Sequence, residues 1–203
     1  MLGEGRICLE VADGTDPART RRVAQRAVDE YGRLDTWVHA AAVLLVAPFE
    51  RTTPEEFQRV IDVNLMGQVH GAMAALPHLK RRGGALIHIT SMGAKRGVPL
   101  QTAYCASKHG IDGFVETLRM GVRREKLPIS VTNIMPATIN TPLSDQARTK
   151  IGVKPVAPPP STRPTSSWTP SGTPSTPSGT SWSAGRRGRS SSVRSSPPVW
   201  STG

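Results

Sequence analysis

Tyr104 and Lys108 stand four residues apart in a stretch of helical periodicity, so they share one face of a helix, one turn apart. A tyrosine hydroxyl ionises near pH ~10 and exchanges protons poorly at neutral pH. A lysine charge about 4 Å away, at an effective dielectric of about 20, favours the phenolate by roughly 4 kcal/mol, or about three pKa units. That brings the phenol toward the working range of a general acid. Such a pair alone is common in unrelated proteins. Ser91 lies 13 residues earlier at the end of the apolar run ALIHITS, and strand ends are where α/β sheets form sites. Asn64 precedes the serine by 27 residues and interrupts an apolar stripe.

The elements that must place these groups follow from periodicity. Arg6 to Val11 reads as a short strand. Thr15, Asp16 and Pro17 begin a helix with proline in its first turn, and Val23, Ala24, Ala27, Val28 and Tyr31 share one face until Gly32 ends it. Thr36 to Ala42 is an apolar run without alternation, which predicts a parallel strand covered on both faces. Thr53-Pro54-Glu55-Glu56 reads as a capping box ahead of a long helix, whose stripe of Phe57, Val60 and Ile61 carries Asn64. A strand over Ala85 to Thr90, a helix from about Ala103 to Arg124 and a strand from Ile129 to Met135, stopped by Pro136, complete the series. The alternation predicts an α/β fold with a Rossmann-like, doubly wound parallel sheet.

The four residues, with the runs VIDVNLMGQVHG, GALIHITSMGAKRGVPLQTAYCASKHG and GFVETLRMGVRREKLPISVTNIMPATINTPL, resemble the Asn-Ser-Tyr-Lys tetrad and ordered blocks of the short-chain dehydrogenase/reductase family. The resemblance spans about residues 6 to 160. It implies an oxidoreductase that uses NAD or NADP to move a hydride to or from a small-molecule carbonyl or alcohol. It makes Tyr104 the general acid, with Ser91 on the same substrate oxygen. Lys108 would hold the ribose hydroxyls and depress the tyrosine pKa, and Asn64 would bind a water linking the lysine to solvent. Asn64 also reads as a helix-kink residue satisfied by backbone groups, and Ser91 as a solvated strand terminus. LDTWVHAAAV resembles the family's Asn-Asn-Ala-Gly strand end, with His39 and Ala40 at the asparagines, Ala41 in place and Ala42 at the glycine, where its methyl tightens the approach of a cofactor. His39 reads as a packed strand residue rather than a ligand. Pro136-Ala137-Thr138-Ile139-Asn140-Thr141 resembles the Pro-Gly turn, which implies that the Ile139 backbone and the Thr141 hydroxyl face the nicotinamide amide and phosphates. Glu10 stands where members place an aspartate near the adenine, and a solvated loop carboxylate is an equal reading.

The family's first strands and Gly-rich turn find no counterpart in the sequence, which predicts a partial sheet, weak cofactor binding and no readable choice between NAD and NADP. Family members pair their long helices, which implies a homodimer or homotetramer. A catalytically silent fragment that acts only through helix-mediated assembly is the competing reading.

Composition separates the chain into two polymers. From Ala157 to Gly203, 40 of 47 residues are Ser, Thr, Pro, Gly or Arg, too polar to offset chain entropy by burial. This predicts a partial Rossmann-fold domain over 1–157 and a disordered low-complexity tail over 158–203. Six of the 26 basic residues and none of the 15 acidic ones lie beyond residue 150, so residues 151–203 supply more than half of the net +11. The charges are scattered without aromatic interleaving, which argues against a nucleic-acid partner, even for the GRRGR stretch. Read one base earlier, the possible codons for residues 161 to 185 yield Val-Tyr-Ala-Pro-Asp-Val-Val-Val-Asp-Ala and Asp-Val-Val-Val-Gly-Gly, which look like the family's last helix and strand. Residues from about 161 onward therefore read as a frame-shifted translation. Two cysteines, Cys8 and Cys105, suit a reducing compartment, and no apolar run is long enough to span a membrane, so the protein reads as cytoplasmic. His70, His78, His88 and His109 show no metal-ligand spacing.

Overall fold

The computed structural model describes residues 7–139, 141–153 and 155. The expectations placed on residues 158–203 lie outside the described residues, as does Asn140.

Local chemistry fixes the first helix, α1 (Pro17–Tyr31). The Asp16 carboxylate accepts from the amides of Ala18 and Arg19, proline occupies the first turn, and Gly32 takes φ 77° to end it. Strand β1 (Thr36–His39) and the short β2 (Leu45–Val46) follow. Helix α2 (Pro54–Ile61) starts on the complete capping box of Thr53 and Glu56. It continues through a π-helical segment, Asp62–Met66, into α3 (Gly67–Arg82). Next come β3 (Gly84–Ile89), α4 (Thr102–Arg124), β4 (Ile129–Ile134), α5 (Pro142–Asp145) and β5 (Arg148–Thr149).

The fold is Rossmann-like α/β, as the alternating patterns predict. The main sheet runs β1-β3-β4, all parallel, with Thr36 opposite Ala85, His39 opposite His88, and Ile89 opposite Ile134. A second parallel pair joins Leu45 to Arg148 and Val46 to Thr149. Leu86, Ile129 and Val131 turn toward Ala72, Ala75 and Leu79 of α3 and Ile111 and Val115 of α4, forming the main core. Among the described residues the opposite sheet face is more open: Val38 is 55% exposed and Ser130 is exposed.

Two elements differ from the sequence expectation. Residues 7–11 form no strand, and Ile7, Leu9 and Val11 are exposed; a strand needs a hydrogen-bonded neighbour, and none of the described strands runs beside them. The run from Thr36 to Ala42 is strand only to His39. Just beyond it, the side chain of Asn64 binds both the N–H and the C=O of Val43, so those groups pair with an amide rather than with a ladder.

Candidate active site

The chemistry-bearing residues gather at the C-terminal ends of β1, β3 and β4. Ala41 and Ala42 follow β1, Ser91 follows β3, and Pro136 follows β4. This edge of a parallel sheet is where connecting loops can build a cleft. The Met92 amide donates to the Pro136 carbonyl at 3.3 Å, tying the second and third of these loops together.

Ser91 caps a single 3-10 turn, Met92–Ala94, and accepts from the Gly93 amide at 3.1 Å. Gly93 is the junction with α4: a Cβ there would lie 3.4 Å from Tyr104 Cε1 and 3.6 Å from Ser91 Oγ. Ser91 and Tyr104 are thus brought together across a glycine. Lys108 lies one turn further along α4, with Nζ 5.5 Å from the Tyr104 ring centroid, and it donates to the Ile89 carbonyl at 3.2 Å.

Burial dominates the electrostatics. It raises the Tyr104 phenol above its ordinary value; the Ser91 hydroxyl, hydrogen-bonded to it, pulls the other way, and the Cys105 thiol adds to the rise. This corrects the expectation that Lys108 depresses the phenol: the ammonium stands beside the ring and bonds to a backbone carbonyl. Burial also lowers Lys108 itself, to about 8.

Asn64 is fully buried in the π-helical segment. Its Oδ1 accepts from the Val43 amide at 2.8 Å, and its Nδ2 donates to the Val43 carbonyl and to Ser107 Oγ, at 3.0 and 3.1 Å. Two of these contacts are of the kind that the plainer sequence reading, a helix-kink residue satisfied by backbone groups, expects, and the third goes to a side chain. Ser107 in turn donates to the Tyr104 carbonyl at 2.7 Å, so Asn64 is coupled to the turn of α4 that carries Tyr104 and Lys108.

The remaining expected positions divide. Ala41 is exposed and Ala42 half-buried between His39 and the clamped Val43. Pro136 and Ile139 are half-buried and Ala137 is exposed after β4, while Thr141 precedes α5 and makes no side-chain cap bond there. Glu10 is held at 3.4 Å by Arg26 of α1, and no described contact links it to the tetrad. His39 is a packed strand residue: a Cβ on Gly71 would come within 2.6 Å of its Nδ1. Burial foremost, then the Lys108 charge, lower it to about 4.

Sequence reasoning expects Gly93 to shape the pocket but misses two participants. Ser107 mediates a contact that spacing does not reveal. Gln68 lies four residues after Asn64, one turn on, and that spacing was a usable signal. Tyr104 also packs with Leu44, Val46, Leu143, Ala147 and Ile151. This segment after Thr141 is fastened by Glu56, which pairs with Arg148 at 2.9 Å and Lys150 at 2.6 Å.

Comparison with known proteins agrees with this fold. The family model described as short chain dehydrogenase matches residues 2–152. An uncharacterized oxidoreductase, YxnA, of Bacillus subtilis is 38% identical over 136 residues, covering 66% of this chain and 38% of that protein. The D-beta-hydroxybutyrate dehydrogenase of Rhizobium meliloti is 33% identical over 155 residues, covering 73% and 59%. The chain therefore spans about two fifths and about three fifths of the lengths of these relatives. Among solved structures, the aldohexose dehydrogenase of Thermoplasma acidophilum in ligand-free form superposes with a TM-score of 0.64 at 27% identity, over 70% of this chain and 55% of that one. A short-chain dehydrogenase/reductase of Burkholderia phymatum, solved in complex with NAD, shares the fold with the same TM-score at 22% identity, over 66% and 48%. With a family model covering most of its length and the Ser91, Tyr104 and Lys108 cluster at the sheet's C-terminal edge, this chain belongs to the short-chain dehydrogenase family.

Proposed function

We propose that the chain carries the catalytic part of an NAD(P)-dependent oxidoreductase acting on a small carbonyl or alcohol substrate, with Tyr104 as its general acid and base. The observation that carries the reading is the meeting of Ser91 and Tyr104 across Gly93, with Lys108 one turn below. In reduction, Tyr104 donates its phenolic proton to the substrate oxygen as charge develops there. Ser91 donates a hydrogen bond to the same oxygen. The nicotinamide, when bound, supplies the hydride.

The donor set suits such a cofactor. The Ile89 carbonyl takes one of the three Lys108 N–H groups, which leaves donors for ribose hydroxyls. The Thr141 hydroxyl and the Ile139 backbone serve the nicotinamide and phosphate end, and Ala41 and Ala42 present a small-residue surface beside it.

Assembly through α3 and α4 belongs to the same reading. A groove between them is lined by Leu76, Phe114, Leu118 and Val122, and Gly113 and Gly121 leave open space where side chains would stand. A second copy's helices fit such a face, giving a homodimer or, with a further contact, a homotetramer.

The test is oxidation of NADH and NADPH followed by absorbance with a panel of ketones and aldehydes. Tyr104→Phe should lower turnover by about 10²–10⁴-fold, because it keeps the ring and removes the proton. Turnover at the parent rate in that variant would reject Tyr104 as the acid.

A further inference from the structure

The Ile89 carbonyl, two residues before Ser91, accepts two buried side-chain donors at once. Lys108 Nζ lies 3.2 Å away and Gln68 Nε2 lies 3.1 Å away. Gln68 reaches it from α3 and Lys108 from α4, so the carbonyl ties both helices to the end of β3. The other end of the Gln68 amide, Oε1, is hydrogen-bonded to His88 Nδ1. An amide oxygen only accepts, so the imidazole carries its proton on Nδ1 and donates. The amide therefore cannot turn over without setting its NH₂ against that N–H. The His88 ring is itself held edge-on by Phe114 of α4, with centroids 5.6 Å apart. Gln68 and His88 are fully buried, and Lys108 is nearly so.

We propose that Gln68, oriented by His88, is a positioning residue for Lys108: by sharing the Ile89 carbonyl it fixes where the ammonium stands and leaves its other protons turned to the cofactor side. The importance of Lys108 for a cofactor rests on the oxidoreductase reading, whereas the network does not. An amide NH₂ beside an ammonium disfavours the charge, and sharing weakens the carbonyl's hold on it, so the two effects act in one direction. The other titratable groups facing Lys108 are Tyr104 on its own helix and His39 on β1, with His88 beyond Gln68 on β3.

The experiment is an NMR titration of the full chain carrying lysine labelled with carbon-13 at Cε, with the Lys108 signal assigned by its loss in Lys108→Arg. Gln68→Met, which keeps the length and loses both hydrogen bonds, should move the Lys108 midpoint up by about one pH unit. His88→Phe, which frees the amide to turn, should move it the same way. His88→Asn, whose amide can donate to Gln68 Oε1, should restore the parent midpoint. An unmoved midpoint in folded Gln68→Met overturns the proposal. Where that variant does not fold, the His88 pair decides, and identical midpoints in His88→Phe and His88→Asn overturn it. Ketone reduction assayed in parallel separates the two readings: a shifted midpoint upholds the network whatever the turnover, and turnover at the parent rate in Tyr104→Phe rejects the oxidoreductase reading alone.

Discussion

At the scale of single residues, burial raises the Tyr104 phenol and the Ser91 hydrogen bond pulls it back toward the working range of a general acid. The Ser91 hydrogen bond thus has two consequences that one substitution separates. Ser91→Ala removes a donor from the developing oxyanion and should lower kcat for carbonyl reduction by about 10²–10³-fold. It also removes the influence that lowers the phenol. In the reduction direction the protonated form is active, so rate falls as pH rises through the Tyr104 pKa, and the alkaline limb of the profile should move upward in Ser91→Ala. A pH-rate profile with an unmoved limb would detach Ser91 from the ionisation of Tyr104. The types and spacing of Tyr104, Lys108 and Ser91 were legible in the sequence. The direction of the tyrosine shift was not, because it depends on how deeply α4 is covered and on a carbonyl, that of Ile89, whose position no spacing reveals.

Elements set by near neighbours in the chain were readable, and elements set by distant partners were not. The caps at Asp16 and Thr53 act within three residues, and both helices begin where those caps place them. The segment after β1 is held at Val43 by Asn64, 21 residues further on, and the composition of Thr36 to Ala42 carries no trace of that contact. A similar long-range fit joins β1 to α3. A methyl group on Gly71 would stand 2.6 Å from His39 Nδ1 and 2.8 Å from Trp37 Nε1, so the two helical turns around it press directly on the strand. In an open helix, Gly→Ala stabilises by about 1 kcal/mol. Here the overlap should reverse the sign, and Gly71→Ala should destabilise by about 1–3 kcal/mol. Urea denaturation checks this, and pairing the change with His39→Ala should recover part of the loss, since residues in contact do not act additively. A stabilised Gly71→Ala would mean that α3 and β1 sit further apart.

At the scale of the whole molecule, the buried polar layer between the sheet and α3 makes stability depend on pH. His39 and His88 face each other in register across β1 and β3, and burial lowers each from 6.5 to about 4. In the unfolded chain both protonate near pH ~6.5, so between that value and about 4 the unfolded state holds more protons than the folded one. Stability is therefore full above pH ~6.5 and is lost as pH falls below it, by roughly 3 kcal/mol at most for each histidine once the pH lies below both values. Lys108 acts in the same sense in a higher window, between about 8 and 10.5, and adds no slope at neutral pH or below. The carboxylates of Asp13 and Glu56, raised by burial but lowered on balance by their hydrogen-bond and ion-pair partners, contribute stability that is lost only below their ordinary values of 3.8 and 4.5. The windows do not coincide, so the interval from pH ~6.5 to ~5 isolates the histidines. Urea midpoints measured across it should fall steadily with a slope approaching two protons per molecule, and His88→Asn should roughly halve that slope. A flat line from pH ~6.5 to ~5, followed by loss only below pH ~4.5, would assign acid sensitivity to the carboxylates and show that the two imidazoles exchange protons with solvent as freely in the folded chain as in the unfolded one.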